Sequence, residues 1–101
     1  KDLIQEKVEE TKLPFIYCNM VGAQDELIFD GESLAFSSRG DCLGQGKAFE
    51  EDLVLIDLES DHVVELKVKP REEKMFRALC LGVSDYFKKT GHTEAVLGLS
   101  G

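Results

Sequence analysis

The residues best suited to chemistry close the chain. Gly98-Leu99-Ser100-Gly101 follows the apolar run Ala95-Val96-Leu97. Glycines at the end of a strand let backbone N–H groups approach an anion, and a following helix would add its dipole. Such a loop would grip a phosphate, although an ordinary turn after a strand has the same composition. Cys18, Cys42 and Cys80 offer nucleophiles, but a reactive thiol needs an electropositive setting. Cys18 falls within an apolar run and Cys80 on an apolar helical stripe, so both are expected to pack as small hydrophobes. Cys42 sits nearest a turn and is the one expected near solvent, where Asp41 opposes thiolate formation. Three widely spaced thiols give neither a disulfide framework nor a CxxC pair. Gln24-Asp25-Glu26 with Asp30 supplies oxygens that suit a hard cation, without the spacing of a calcium loop. Capping of a loop accounts for the same residues. His62 and His92 fall in expected loops too far apart for a local ligand pair, and Arg39-Gly40-Asp41 reads as a hairpin turn.

Regular elements must position these groups. Residues 1 to 12 place Ile4, Val8 and Thr11 on one helical face, with Leu3 beside them. Pro14 stops that helix, and Phe15 to Met20, rich in aromatic and β-branched types, predicts a strand buried on both faces. Gly22 interrupts the pattern, Leu27-Ile28-Phe29 resumes it, and Asp30-Gly31 turns the chain. Ser33 to Ser38 and Cys42-Leu43 read as a hairpin about Arg39-Gly40-Asp41. Leu53 to Leu58 predicts a strand, and Val64, Leu66 and Val68 alternate with charged residues as one wet-faced strand would. From Arg71 to Thr90 the apolar positions Phe76, Leu79, Cys80, Val83, Tyr86 and Phe87 recur at three and four. That period predicts a long helix, with Glu72-Glu73 in its first turn, Lys88-Lys89 in its last and Gly91 to cap it. Residues 94 to 99 predict a final strand.

Composition narrows the function classes. With 101 residues, 43% of them apolar, the chain suits one modest core. A formal charge of -8, with no basic block longer than Lys88-Lys89, argues against nucleic acid and against an anionic membrane surface. The apolar runs are far shorter than the ~20 residues that cross a bilayer. Reduced thiols and no signal peptide predict a cytoplasmic location. Lys1 in place of Met, and an ending just past an apolar run, predict a piece of a longer polypeptide.

The order of segments resembles one family, the glutamine-dependent NAD(+) synthetases, whose amidohydrolase half belongs to the nitrilase (carbon–nitrogen hydrolase) superfamily. Tyr17-Cys-Asn-Met-Val-Gly-Ala-Gln-Asp-Glu-Leu-Ile-Phe-Asp-Gly-Glu-Ser33 is similar to that family's strand, glycine turn and Gln-Asp-Glu-Leu-x-Phe-Asp-Gly-x-Ser segment. It departs at Ala23, where the family usually shows a second glycine. Ala48-Phe49-Glu50-Glu51-Asp52 resembles the approach to the last glutaminase strand, and Ala78 to Gly82 with Asp85-Tyr86 resembles the helix leading into the synthetase domain. Leu97 to Gly101 resembles the opening of the family's Ser-Gly-Gly-x-Asp-Ser pyrophosphate loop.

The resemblance implies an α/β fold in two parts. Residues 1–68 would be the C-terminal part of a nitrilase-like αββα glutaminase sandwich. Residues 69–101 would be a linker helix and the first strand of a Rossmann-like ATP pyrophosphatase domain. It implies an ATP-dependent ligase that hydrolyses glutamine and uses the ammonia to amidate deamido-NAD to NAD, with ATP and Mg2+, and that assembles as a homo-oligomer. Gly98, Leu99, Ser100 and Gly101 would meet the ATP phosphates. Gln24, Asp25 and Glu26 would lie at the interface with the synthetase domain. The Glu-Lys-Cys triad of the nitrilase half is expected before Lys1, and the magnesium-binding Asp after Gly101. This chain alone is therefore expected to be inert and to work with the rest of the same polypeptide. Two alternatives stay open: another nitrilase-superfamily amidase, and a non-catalytic acidic interaction module.

Overall fold

Ile4 and Val8 lie one helical turn apart, and that spacing directs both towards the first sheet. In the computed structural model, which describes residues 2–101, they belong to α1 (Asp2–Thr11), followed by β1 (Phe15–Tyr17), β2 (Val21–Gln24), β3 (Leu27–Asp30), β4 (Leu34–Phe36), β5 (Cys42–Gln45) and α2 (Arg71–Thr90). Lys1 of the helix expected over 1 to 12 lies outside the described residues. Strands β1, β4 and β5 form an antiparallel sheet in that spatial order, and β2 pairs with β3 as a separate hairpin. A small core joins α1 to the first sheet: Val8, Phe36 and Cys42 are buried, with Ile4, Leu34 and Leu66 packed against them.

The β4–β5 turn forms as its residues require. Gly40 takes φ 88°, and the buried Ser37 hydroxyl accepts from the N–H groups of Arg39 and Asp41. At the other hairpin Gly22 continues a strand instead of ending one. Its φ of 141° is open to glycine and foreign to other residues, so the reading of Gly22 as a breaker is corrected. Asp25 and Glu26 form the two-residue turn, with Gln24 opposite Leu27 and Asp25 at φ 52°. Asp30-Gly31 turns the chain as expected, and Gly31 then bridges to Ala48. Asn19 ties the two sheets together: its N–H donates to the Ser33 hydroxyl at 3.0 Å and its side-chain amide to Asp30 at 2.9 Å.

Three expected strands do not form. Residues 53–58 run without ladder bonds, although they keep the two-residue alternation. Val54 and Ile56 lean over Gly44, the only residue type that leaves them room, while Leu53 and Leu55 are 86% and 90% exposed. Residues 64–68 follow the β5 edge, held by one backbone bond from Val64 N–H to Cys42 C=O and by the Gln45 side-chain amide, which both donates to and accepts from the Lys67 backbone. Residues 94–99 are exposed and irregular. Phe15 to Met20 shortens to β1, whose three residues are all exposed, so its burial on both faces is corrected as well.

The cysteine expectations invert. Cys18 and Cys80 are exposed, because nothing among the described residues covers β1 or the apolar stripe of α2, and Cys42 is buried in the small core beneath α1.

Candidate functional site

Helix α2 begins after Pro70 and ends at Gly91, which adopts the left-handed conformation (φ 75°) while its N–H bonds back to Phe87 C=O. The boundaries are those read from the sequence. The face that docks is not. Spacing alone puts Phe76, Leu79, Val83 and Tyr86 inward, yet all four are at least 60% exposed. The hairpin is met instead by Lys74, Gly82, Asp85 and Lys89, spaced eight, three and four residues apart on one helical face.

Hairpin geometry explains what that face does. In a two-residue hairpin the pair flanking the turn, Gln24 and Leu27, exchanges hydrogen bonds, so the next pair, Ala23 and Ile28, does not. Ala23 therefore turns its N–H and C=O away from β3, towards α2. Asp85 accepts from the Ala23 N–H at 2.8 Å, and the Lys89 ammonium donates to the Ala23 carbonyl. One peptide edge is thus held by an acid and a base one helical turn apart, as a neighbouring strand would hold it. Ala23 itself is buried. A Cβ on Gly22 would stand 3.3 Å from the Asp85 carboxylate, and one on Gly82 3.3 Å from Ile28 Cδ1, so both glycines admit the close approach. At the far end of the joint Lys74 donates to Glu32 at 2.6 Å and lies 3.8 Å from Asp30. The Glu32 hydrogen bond is the main cause that raises the Lys74 pKa above its ordinary value, and partial burial works against it.

The residues singled out in the sequence are distributed unevenly about this joint. Gln24, Asp25 and Glu26 form its exposed tip next to Ala23, and among the described residues their side chains make no hydrogen bond. Gly98, Leu99, Ser100 and Gly101 trail beyond α2, exposed, with open space around both glycines. The structure does not bring the two sets into one site. Among the described residues no three His, Cys, Asp or Glu side chains converge as metal ligands. A cleft of about 510 Å³ between β1 and residues 50–56 includes Cys18, Ser33 and Glu51, but neither the thiol nor the carboxylate bonds to a base there. Sequence reasoning passed over Lys74, placed Gly82 and Asp85 only within a helix resembling the one that leads into the synthetase domain, and read Lys89 only as a helix-end cation. Their signal was the recurrence of small or charged residues at helical spacing opposite an apolar stripe.

No protein-family model matches the chain. Curated relatives do. It is 41% identical over 107 residues to the glutamine-dependent NAD(+) synthetase of Synechocystis sp., aligned over 100% of this chain and 19% of that protein. The Rhodobacter capsulatus enzyme of the same name is 41% identical over 102 residues, covering 94% of this chain and 18% of its own length. The Thermotoga maritima enzyme is 33% identical over 138 aligned positions, covering 100% and 24%. Among solved structures, glutamine-dependent NAD+ synthetase from Acinetobacter baumannii, in complex with adenosine diphosphate, superposes with a TM-score of 0.75 at 26% identity, over 88% of this chain and 18% of that one. The chain thus spans less than a quarter of the length of each.

Proposed function

We propose that this chain, a segment of the glutamine-dependent NAD(+) synthetase family, is the joint between the two catalytic halves of such an enzyme. Residues 1–68 close a nitrilase-like αββα glutaminase sandwich, and residues 69–101 carry the linker helix and the segment, irregular in this chain alone, that would pair as the first strand of a Rossmann-like ATP-binding domain once the rest of that domain is present. The whole enzyme hydrolyses glutamine in one half. In the other, the carboxylate of deamido-NAD attacks the α-phosphate of ATP and expels pyrophosphate to give an adenylate, and ammonia then displaces AMP to leave the amide of NAD. Gly98 to Gly101 open the loop that meets the ATP phosphates, with backbone N–H groups as the donors. The Asp expected in the continuation of that loop would hold magnesium, which would neutralise charge on the phosphates. The enzyme is cytoplasmic and homo-oligomeric, and no helix among the described residues is long and apolar enough to cross a membrane.

The observation that carries this reading is similarity along the whole chain, 41% over 107 residues, to an enzyme of that name. The test is direct. The full-length protein, given glutamine, ATP, magnesium and deamido-NAD, is expected to form NAD, while the 101-residue chain alone forms none. A full-length protein that forms no NAD from glutamine or from ammonia overturns the reading.

A further inference from the structure

Asp85 and Lys89 stand four residues apart, the distance at which two side chains of a helix lie one above the other. Each could have paired with the other. Instead both engage the Ala23 peptide, the acid on its N–H and the base on its C=O. Such a clamp accepts a single helix register. The other acid–base pair of α2 in this order and spacing, Glu73 with Arg77, is closed on itself at 3.1 Å, and positions 78 and 82 on the docking face carry Ala and Gly. A slip of one residue would rotate the helix by about 100° and slide it ~1.5 Å, removing both bonds.

The bonds join residues 62 and 66 positions apart in sequence. They tie β2 to a helix whose last residue, Thr90, precedes Gly98 by only a short segment without regular structure. From this geometry, and resting on the function proposed above, we infer that Asp85 and Lys89 are positioning residues. They set the placement of the phosphate-loop segment relative to the glutaminase half. Neither touches substrate. Their loss leaves each half able to do its own chemistry and disturbs the relation between the halves.

The experiment compares Asp85→Ala, Asp85→Asn and Lys89→Met in the full-length enzyme, measuring NAD formation from glutamine and, separately, from ammonia. Asp85→Ala is expected to lower glutamine-dependent kcat at least about fivefold while ammonia-dependent kcat and the KM for ATP change less than about twofold. Asp85→Asn, whose amide oxygen still accepts from the Ala23 N–H, is expected to restore glutamine-dependent kcat to within about twofold of the original. Equal losses with both nitrogen donors, no loss with either, or an Asn variant no better than Ala would overturn the inference. Should Asp85→Ala fail to fold, Lys89→Met carries the same comparison: a loss confined to the glutamine reaction supports the inference, and equal losses or none overturn it. An unmodified enzyme inactive with both donors removes the functional reading itself, and this inference with it.

Discussion

Lys74 shows how a single side chain ties α2 to the loop after β3. Its ammonium donates to Glu32, whose backbone is in the left-handed region at φ 49° and whose side chain is only 20% exposed. Lys74→Met in the full-length enzyme is therefore expected to cost about 1 kcal/mol of stability, at the upper end for a partly exposed pair. The pH dependence has a definite sign. Folding raises the Lys74 pKa above 10.5, so the ion pair contributes fully below that value and is lost as pH rises through the higher folded pKa. Denaturation midpoints of the two proteins should differ by a constant amount from neutral pH to about 10 and converge above it. A difference that shrinks on acidification before the carboxylates titrate would contradict this assignment. Little of it was legible in the sequence, because Lys74 and Glu32 are 42 residues apart and only the tertiary fold makes them neighbours. The turn at Arg39-Gly40-Asp41, by contrast, depends on local backbone chemistry and follows from three adjacent residue types.

At the scale of elements, Gly22 and Gly82 occupy the two sides of one contact and should respond differently to the same methyl group. Gly22→Ala meets a backbone conformation foreign to L residues, besides crowding the Asp85 carboxylate, and is expected to lose roughly 1–3 kcal/mol. Gly82→Ala has ordinary helical dihedrals, gains up to about 1 kcal/mol of helix propensity, and presses only on the movable end of Ile28, so it should stay close to the original stability. Thermal melts of the two full-length variants check the pair; a Gly22→Ala protein as stable as the Gly82→Ala protein would contradict it. The boundaries of α2 were readable because Pro70, Glu72-Glu73, Lys88-Lys89 and Gly91 act locally. Its docking face was not, because apolar periodicity identifies the stripe that needs cover without saying which neighbour supplies it. The same limit applies to residues 53–58, where alternation survives in Val54 and Ile56 but a strand requires a second backbone to pair with.

Across the whole molecule the surface is large for the mass. It exposes 8179 Å², against about 5,700 Å² for a self-contained fold of 11.3 kDa, and its radius of gyration is 17.3 Å where about 13 Å is usual. Phe76, Leu79, Val83 and Tyr86 on α2, with Ile16 and Tyr17 on β1, account for part of the excess. The 101-residue chain produced alone is expected to self-associate, its sedimentation-average mass rising with concentration; a monodisperse monomer at all loadings would refute this. The clamp on Ala23 also has a consequence in time. A ribosome adding 5–20 residues per second completes Asp85 about 3 to 12 s after Ala23, given the 62 positions between them. Throughout that interval the free edge of β2 has no helix to hold it, and its four-residue length keeps it a short template for a neighbouring nascent chain.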